Sequence, residues 1–177
     1  MMRFGLGISL VVIVIDQVTK SLMLYGVFGF DFPAGISSWH PAIAVTGFFN
    51  LVTVWNMGVS FGMFSAGSPV VRWLLIAVAV GISVGMLVWL SRAGSRLVAA
   101  ALGLIVGGAM GNVIDRILYG AVADFLDFHI WGYHWPAFNV ADSAIMIGVA
   151  LLLYDSIVGQ TDHTNGGPAS GRHRGDM

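Results

Sequence analysis

Cysteine is missing from this 177-residue chain, and so is glutamate. The first absence excludes disulfides, thiolate metal sites and a thiol nucleophile. The second leaves aspartate as the only acidic side chain. Charge of either sign is scarce: Asp, Lys and Arg make up only 10% of the residues, and the net charge is −1. That balance argues against nucleic acid as a partner. What fills the chain instead is apolar. It is 57% hydrophobic, with a mean hydropathy of +0.85, more than the wetted exterior of a soluble domain this size can carry. A bilayer is the natural solvent, and the 24 glycines suit closely packed membrane helices.

Four stretches are long and apolar enough to span, roughly 4–24, 70–90, 97–118 and 138–157. The first lacks a small-residue cleavage site followed by a soluble body, so it reads as a retained span. From Thr161 the chain turns polar and Gly-rich, and 161–177 reads as a disordered cytoplasmic tail. Arg3, Arg92, Arg96, Arg172 and Arg174 all fall on one side if both termini are cytoplasmic. Span three then runs outward and places Asp115 about 27 Å along it. Asn139 and Asp142 occupy the first turns of span four, and Asp16 and Lys20 the outer half of span one. Nearly every polar side chain at membrane depth converges on the outer boundary.

Between spans one and two, residues 27–66 are expected to form a small extracytoplasmic β cradle. Its signal is Phe48-Phe49-Asn50-Leu51-Val52-Thr53-Val54-Trp55, rich in aromatic and β-branched residues. Trp39, Trp55, Trp131, Tyr133 and Trp135 lie outside the spans or near their ends, where amphipathic rings favour the headgroup level. The fold class is therefore mainly α: a four-helix transmembrane bundle with that cradle.

An Asp among apolar residues is costly unless it is paired, hydrated or used. Asn112, Asp115 and Arg116 share one face of span three, after the bulk-free run Gly107-Gly108-Ala109-Met110-Gly111. Asp124 is flanked by apolar residues, whereas Asp127 reads as a solvated loop carboxylate. The segment around them is either extended, with the two on different faces, or helical. Asn139 and Asp142 sit at i and i+3 of a helix start. Simple capping accounts for Asn139, while Asp142 lies a turn deeper, where no cap is needed. Asp16 and Lys20, at i and i+4, form a neutralising pair at least as readily as a catalytic one. Asn56 has amide capacity to grip a peptide backbone or to serve a turn.

Two aspartates meeting in a dehydrated cleft share a proton, because both cannot ionise easily. One is then a base towards water and the other an acid towards a carbonyl. No metal is required, and His129 and His134 lack the helical spacing of a zinc motif. Residue chemistry alone leaves Asp115, Asp124 and Asp142 all open as members of the pair. A proton-coupled carrier is the rival, but it needs polar groups continuing to the inner face, where only Asp155 stands.

In order along the chain, five blocks resemble bacterial lipoprotein signal peptidase, the signal peptidase II family. They are Asp16-Gln17-Val18-Thr19-Lys20, Asn56-x-Gly58-x-x-Phe61-Gly62, Gly107-Gly108-x-x-Gly111-Asn112-x-x-Asp115-Arg116, Val122-x-Asp124-Phe125 and Phe138-Asn139-x-Ala141-Asp142. Trp55 departs from the pattern, where many members carry Arg. The resemblance implies a metal-independent aspartic endopeptidase, free of cofactors, at the outer face of the inner membrane. It implies that the enzyme cuts lipid-modified prolipoproteins before a diacylglyceryl-cysteine, with membrane phospholipid around it. It assigns catalysis to Asp124 and Asp142. Asn112, Asp115, Arg116 and Asn139 become supporting groups, Asn56 a peptide contact, and Asp16 and Lys20 supports of the site and the bound lipid end.

Overall fold

The computed structural model describes residues 1–30, 40–58 and 68–165, the last seven as backbone only. Four helices are long and apolar enough to cross a membrane. Helix α1 (Met2–Ser21) continues into a π-helical turn, Leu22–Val27. Helices α2 (Pro69–Ser91), α3 (Arg96–Leu118) and α4 (Val140–Asn165) follow. The spans expected from hydropathy are all present, with ends shifted by a few residues. Span four starts at Val140 rather than Phe138, because Phe138 bridges to Leu126 in extended conformation. The α4 backbone runs five residues into the stretch expected to be a disordered tail. Helix-breaking chemistry comes only at Gly166-Gly167-Pro168, and 166–177 lie outside the described residues.

Local signals set these boundaries. Pro69 opens α2, where its missing N–H costs nothing. Ser95 caps α3, its Oγ accepting from the Val98 N–H at 3.1 Å. Gly120, at φ +84°, closes α3 in a conformation a side chain would resist, and turns the chain into a strand.

One four-stranded antiparallel sheet caps one end of the bundle, in the order β1 (Ile43–Thr46), β2 (Phe49–Asn56), β3 (Val122–Ile130), β4 (Tyr133–His134). The cradle expected between α1 and α2 therefore draws half its strands from the α3–α4 connection. The stretch left open as strand or helix is a strand, β3, pairing Val54 with Asp124 and Asn56 with Val122. The remainder of 27–66, at 31–39 and 59–66, lies outside the described residues, as does Trp39.

Helix α3 is the buried axis, and α1, α2 and α4 sheathe it, with apolar side chains turned outward to lipid. Lipid supplies no hydrophobic drive between helices, so association rests on close contact through small residues. Along α3, a Cβ on Gly107 would stand 2.8 Å from the Ser9 carbonyl oxygen of α1, and one on Gly108 would meet the Ala141 carbonyl of α4. The Ser9 hydroxyl donates to the Gly103 carbonyl at 2.9 Å across the same seam. By contrast, Gly81 of α2 faces open space. Overpacking at the α3–α4 seam costs about 1–3 kcal/mol or more. Gly108→Val is expected to lower the melting temperature of the detergent-solubilised protein by several degrees, and Gly81→Ala to leave it unchanged. Thermal denaturation of the two variants measures the difference.

Candidate active site

At the sheet-capped end of the bundle, a polar network is assembled from α1, β2, α3, β3 and the start of α4. Its base is an ion cluster. The Lys20 ammonium of α1 lies 2.9 Å from Asp16 Oδ2 and 2.9 Å from Asp115 Oδ2 of α3, and all three side chains are buried. The third ammonium donor goes to Asn112 Oδ1 at 3.0 Å, so Lys20 has no hydrogen left unused. Gly111 makes the approach feasible, since a Cβ there would come within 2.6 Å of Asp16 Oδ2.

From this base, bonds reach both remaining aspartates. The Asn112 amide, oriented by Lys20, donates through Nδ2 to Asp142 Oδ1 at 2.8 Å. Asp115 accepts the Ala123 N–H at 3.1 Å, which pins β3 one residue before Asp124. Asp16 accepts the Ala141 N–H at 2.9 Å, satisfying one of the donors left orphaned in the first turn of α4.

Asn139 joins the two carboxylates. Its Nδ2 donates to Asp124 Oδ1 at 2.7 Å, and its Oδ1 accepts the Asp142 N–H at 2.9 Å. Asp142 Oδ2 in return accepts the Asn139 N–H at 3.3 Å. This reciprocal pair is a capping box. It corrects the expectation that Asp142 lies too deep to serve the helix start: it is the third helical residue and closes the box. On the other flank of Asp124, Asn56 of β2 donates to Oδ2 at 3.1 Å, while its own Oδ1 accepts the Gly58 N–H. Its amide is thus engaged within the fold, holding Asp124. The β2–β3 register, with its irregularity between Leu51 and Val54, brings Asn56 alongside.

Asp124 and Asp142 thus flank one residue, Asn139, and each carboxylate accepts two hydrogen bonds, one of them from Asn139. Burial removes Asp124 from water, and the charge of Asp142 adds to that, so its pKa rises to about 7. Hydrogen bonds from Asn56 and Asn139, and the positive charge of Lys20, oppose the rise without cancelling it. Asp115 is fully engaged by Lys20, Gln17 and the Ala123 amide, which sets it apart from the other two. Arg116 donates to the Asn112 carbonyl at 3.3 Å, and its buried Nε has no acceptor among the described residues. An apolar cleft of about 290 Å³ between α2, α3 and α4 leads from the lipid-facing surface to Asn112 and Arg116.

Two groups went unrecognised in the sequence. Gln17 donates through Nε2 towards Asp115 Oδ1 (3.0 Å), Asp16 Oδ2 and the Gly111 carbonyl. Its signal was available: an amide in a membrane span, one residue after an acid. Asp127 is the second, and it is not a solvated loop carboxylate. It is only 6% exposed, held by Asn50 Nδ2 at 2.8 Å and His134 Nδ1 at 2.9 Å. Desolvation would raise its pKa, but these hydrogen bonds and the two nearby histidines win and hold it below the usual carboxylate range. Strand alternation turns it to the sheet face opposite Asp124. Among the described residues, no three His or Asp side chains gather as a metal-binding group.

Removing one partner from a buried ion cluster leaves uncompensated charge, at a cost of about 3–5 kcal/mol. Lys20→Met is therefore expected to lower the melting temperature sharply, because Asp16 and Asp115 are left facing each other. Purified variant and parent in the same detergent provide the comparison.

Comparison with known proteins places the chain in a family. Residues 8–158 match the family model described as signal peptidase (SPase) II. Lipoprotein signal peptidases of Burkholderia vietnamiensis (strain G4 / LMG 22486) and Burkholderia multivorans (strain ATCC 17616 / 249) are 48% and 49% identical over 153 residues, 86% of each chain. A solved bacterial membrane enzyme, determined by the in meso method at 2.3 Å, superposes with a TM-score of 0.71 at 27% identity, covering 94% of both chains. A second, determined at 1.9 Å, gives 0.69 at 28% identity, covering 86% of this chain and 92% of its own. With four apolar helices around a polar cluster, and a match along nearly the whole of that body, the chain belongs to the signal peptidase II family of lipoprotein-processing membrane peptidases.

Proposed function

We propose that this protein is an aspartic endopeptidase that removes the signal peptide from diacylglyceryl-modified prolipoproteins, using Asp124 and Asp142 as a proton-sharing pair. The observation that carries this reading is that Asn139 links the two carboxylates, its side-chain Nδ2 donating to Asp124 and its backbone N–H to Asp142, and that Asp124 keeps its proton to about pH 7. A pair holding one proton supplies both halves of peptide hydrolysis at neutral pH. The ionised member takes a proton from water as the water oxygen attacks the scissile carbonyl carbon. The protonated member donates to the carbonyl oxygen. Collapse of the tetrahedral intermediate breaks the C–N bond, and a proton passes to the leaving amine. The products are a carboxylate-terminated signal peptide and a mature chain beginning with the lipidated cysteine.

The remaining groups position this chemistry. Asn112, Asn139 and Asn56 fix the four carboxylate oxygens of the pair. Lys20 orients the Asn112 amide, while Asp16 and Asp115 hold the backbone of Ala141 and Ala123 beside the pair. The Arg116 Nε, buried without an acceptor among the described residues, is a donor available to a substrate carbonyl at the head of the apolar cleft. That cleft suits a segment that is itself lipid-soluble. We place both termini in the cytoplasm and the site at the outer face of the inner membrane. Arg3, Arg92 and Arg96 cluster at the end of the bundle away from the site, in keeping with the inward bias of positive charge.

Asp124→Asn and Asp142→Asn are each expected to reduce cleavage of a lipidated prolipoprotein by about 10³-fold or more while the protein stays folded. Gel-shift detection of the shortened product measures this, and near-normal turnover by either variant refutes the assignment. EDTA is expected to leave activity intact, and loss on chelation with recovery on adding zinc would indicate a metal enzyme instead. The pH profile carries a separate expectation. As pH rises past about 7, Asp124 gives up the shared proton, so kcat/KM falls on the alkaline side. Asn56 donates to the ionised form, so Asn56→Ala raises the Asp124 pKa and moves that limb to higher pH. A limb that moves down or stays fixed contradicts the role given to Asn56.

A further inference from the structure

The connection between Asp124 and Asn139 does more than join them. Strand β3 runs on past Asp124 to Ile130, about 20 Å at a strand's rise per residue. It reverses at Trp131-Gly132 and returns through β4 to Phe138, next to the capping box. Two features of this reversal are costly in water. Trp131 is 94% exposed, and Ile130, Tyr133 and Trp135 beside it are exposed as well. Trp131 also sits at φ +50°, a region that so bulky a side chain rarely occupies. With Gly132 at φ +83° the turn has positive φ at both central residues, the form that favours Asn-Gly. Within the described residues nothing repays an unfavourable conformation that pushes an indole into solvent.

We infer that the β3–β4 hairpin inserts Trp131 into the outer-leaflet headgroup zone and so fixes the height of Asp124 and Asp142 against the bilayer. Four points on the hairpin favour lipid as the occupant. Its exposed residues are Trp, Tyr and Ile, the types that partition to the headgroup boundary. The segment 128–136 carries no Asp, Lys or Arg, so nothing ionic opposes entry apart from its two histidines. Both of its ends run directly into membrane-spanning helices, α3 and α4. The sole carboxylate nearby, Asp127, is folded back as a brace, its bonds to His134 and Asn50 tying the return strand to β3 and β2. The stack of Phe128 on Phe138, centroids 5.9 Å apart, stiffens the base of the hairpin. An anchored tip therefore acts on a rigid lever. The inference needs the membrane-spanning fold, and its first test is independent of the proposed reaction.

The chain has no native cysteine, so Tyr133→Cys offers a unique site for a nitroxide label with Trp131 kept. The full-length protein goes into vesicles of phosphatidylethanolamine and phosphatidylglycerol. Collision of the label with oxygen is expected to exceed collision with a water-soluble nickel chelate, and adding Trp131→Asn is expected to shift the balance to the chelate. Asn suits the turn better than Trp, so hairpin unfolding does not explain such a shift. In the second test, Trp131→Asn in an otherwise unaltered chain is expected to lower kcat/KM about five- to tenfold on a lipidated substrate in vesicles. In detergent micelles, which impose no fixed height, it is expected to change by less than about twofold. A label as accessible to the chelate as a free loop overturns the inference, and so does one shielded from both reagents, which would indicate a protein partner. Equal losses in vesicles and micelles overturn the link to the height of the aspartates.

Discussion

The buried ammonium of Lys20 between Asp16 and Asp115 is the contact on which the rest of the site stands. It settles where β3 and the start of α4 go. Its bond to Asn112 Oδ1 forces the amide nitrogen of Asn112 towards Asp142. Its hold on Asp115 leaves that carboxylate free to take the Ala123 N–H and thereby locate β3. Its hold on Asp16 leaves the second oxygen for the Ala141 N–H at the start of α4. Burying three charges is expensive, and well-packed apolar replacements of buried ion clusters are often as stable or more so. The return on that cost is geometric: each of the two carboxylates is directed at a backbone donor on a different element, Asp115 at Ala123 of β3 and Asp16 at Ala141 of α4.

Such a cluster demands that α1, α3 and α4 approach to backbone contact, and bilayer lipid does nothing to press them together. The glycines of α3 supply the contact. Gly107 admits α1, Gly108 admits α4, and Gly111 admits the Asp16 carboxylate itself. The glycine-rich run immediately before Asn112 thus has a chemical purpose as well as a packing one. It sets the distance at which ionic partners from separate helices meet.

The spans were legible because hydropathy alone decides them, and the polar cluster because so few polar groups sit at membrane depth. All of Asn56, Asn112, Asp115, Arg116, Asp124, Asn139, Asp142, Asp16 and Lys20 fall in or beside one network. What stayed hidden depends on pairing between distant segments. Nothing in 122–130 alone says that it joins β2, so the sheet was placed within one loop when it is shared by two. Asp127 looked solvated because its partners, Asn50 and His134, come from β2 and β4. The second role of Asp142 was missed for another reason. A capping box is recognised by Ser or Thr with Glu or Gln, and Asn with Asp performs it here with shorter arms.

That box has a consequence for how the molecule comes into being. The same atoms that start α4 also join the two acids, so neither exists without the other. α4 is the fourth span to leave the ribosome, and until its first turn winds and docks on α3, Asp142 has no fixed place. A half-inserted chain therefore carries its acidic groups apart. Under the proposed mechanism, hydrolytic capacity arrives only with the completed bundle, which spares the membrane a partly assembled protease during biogenesis.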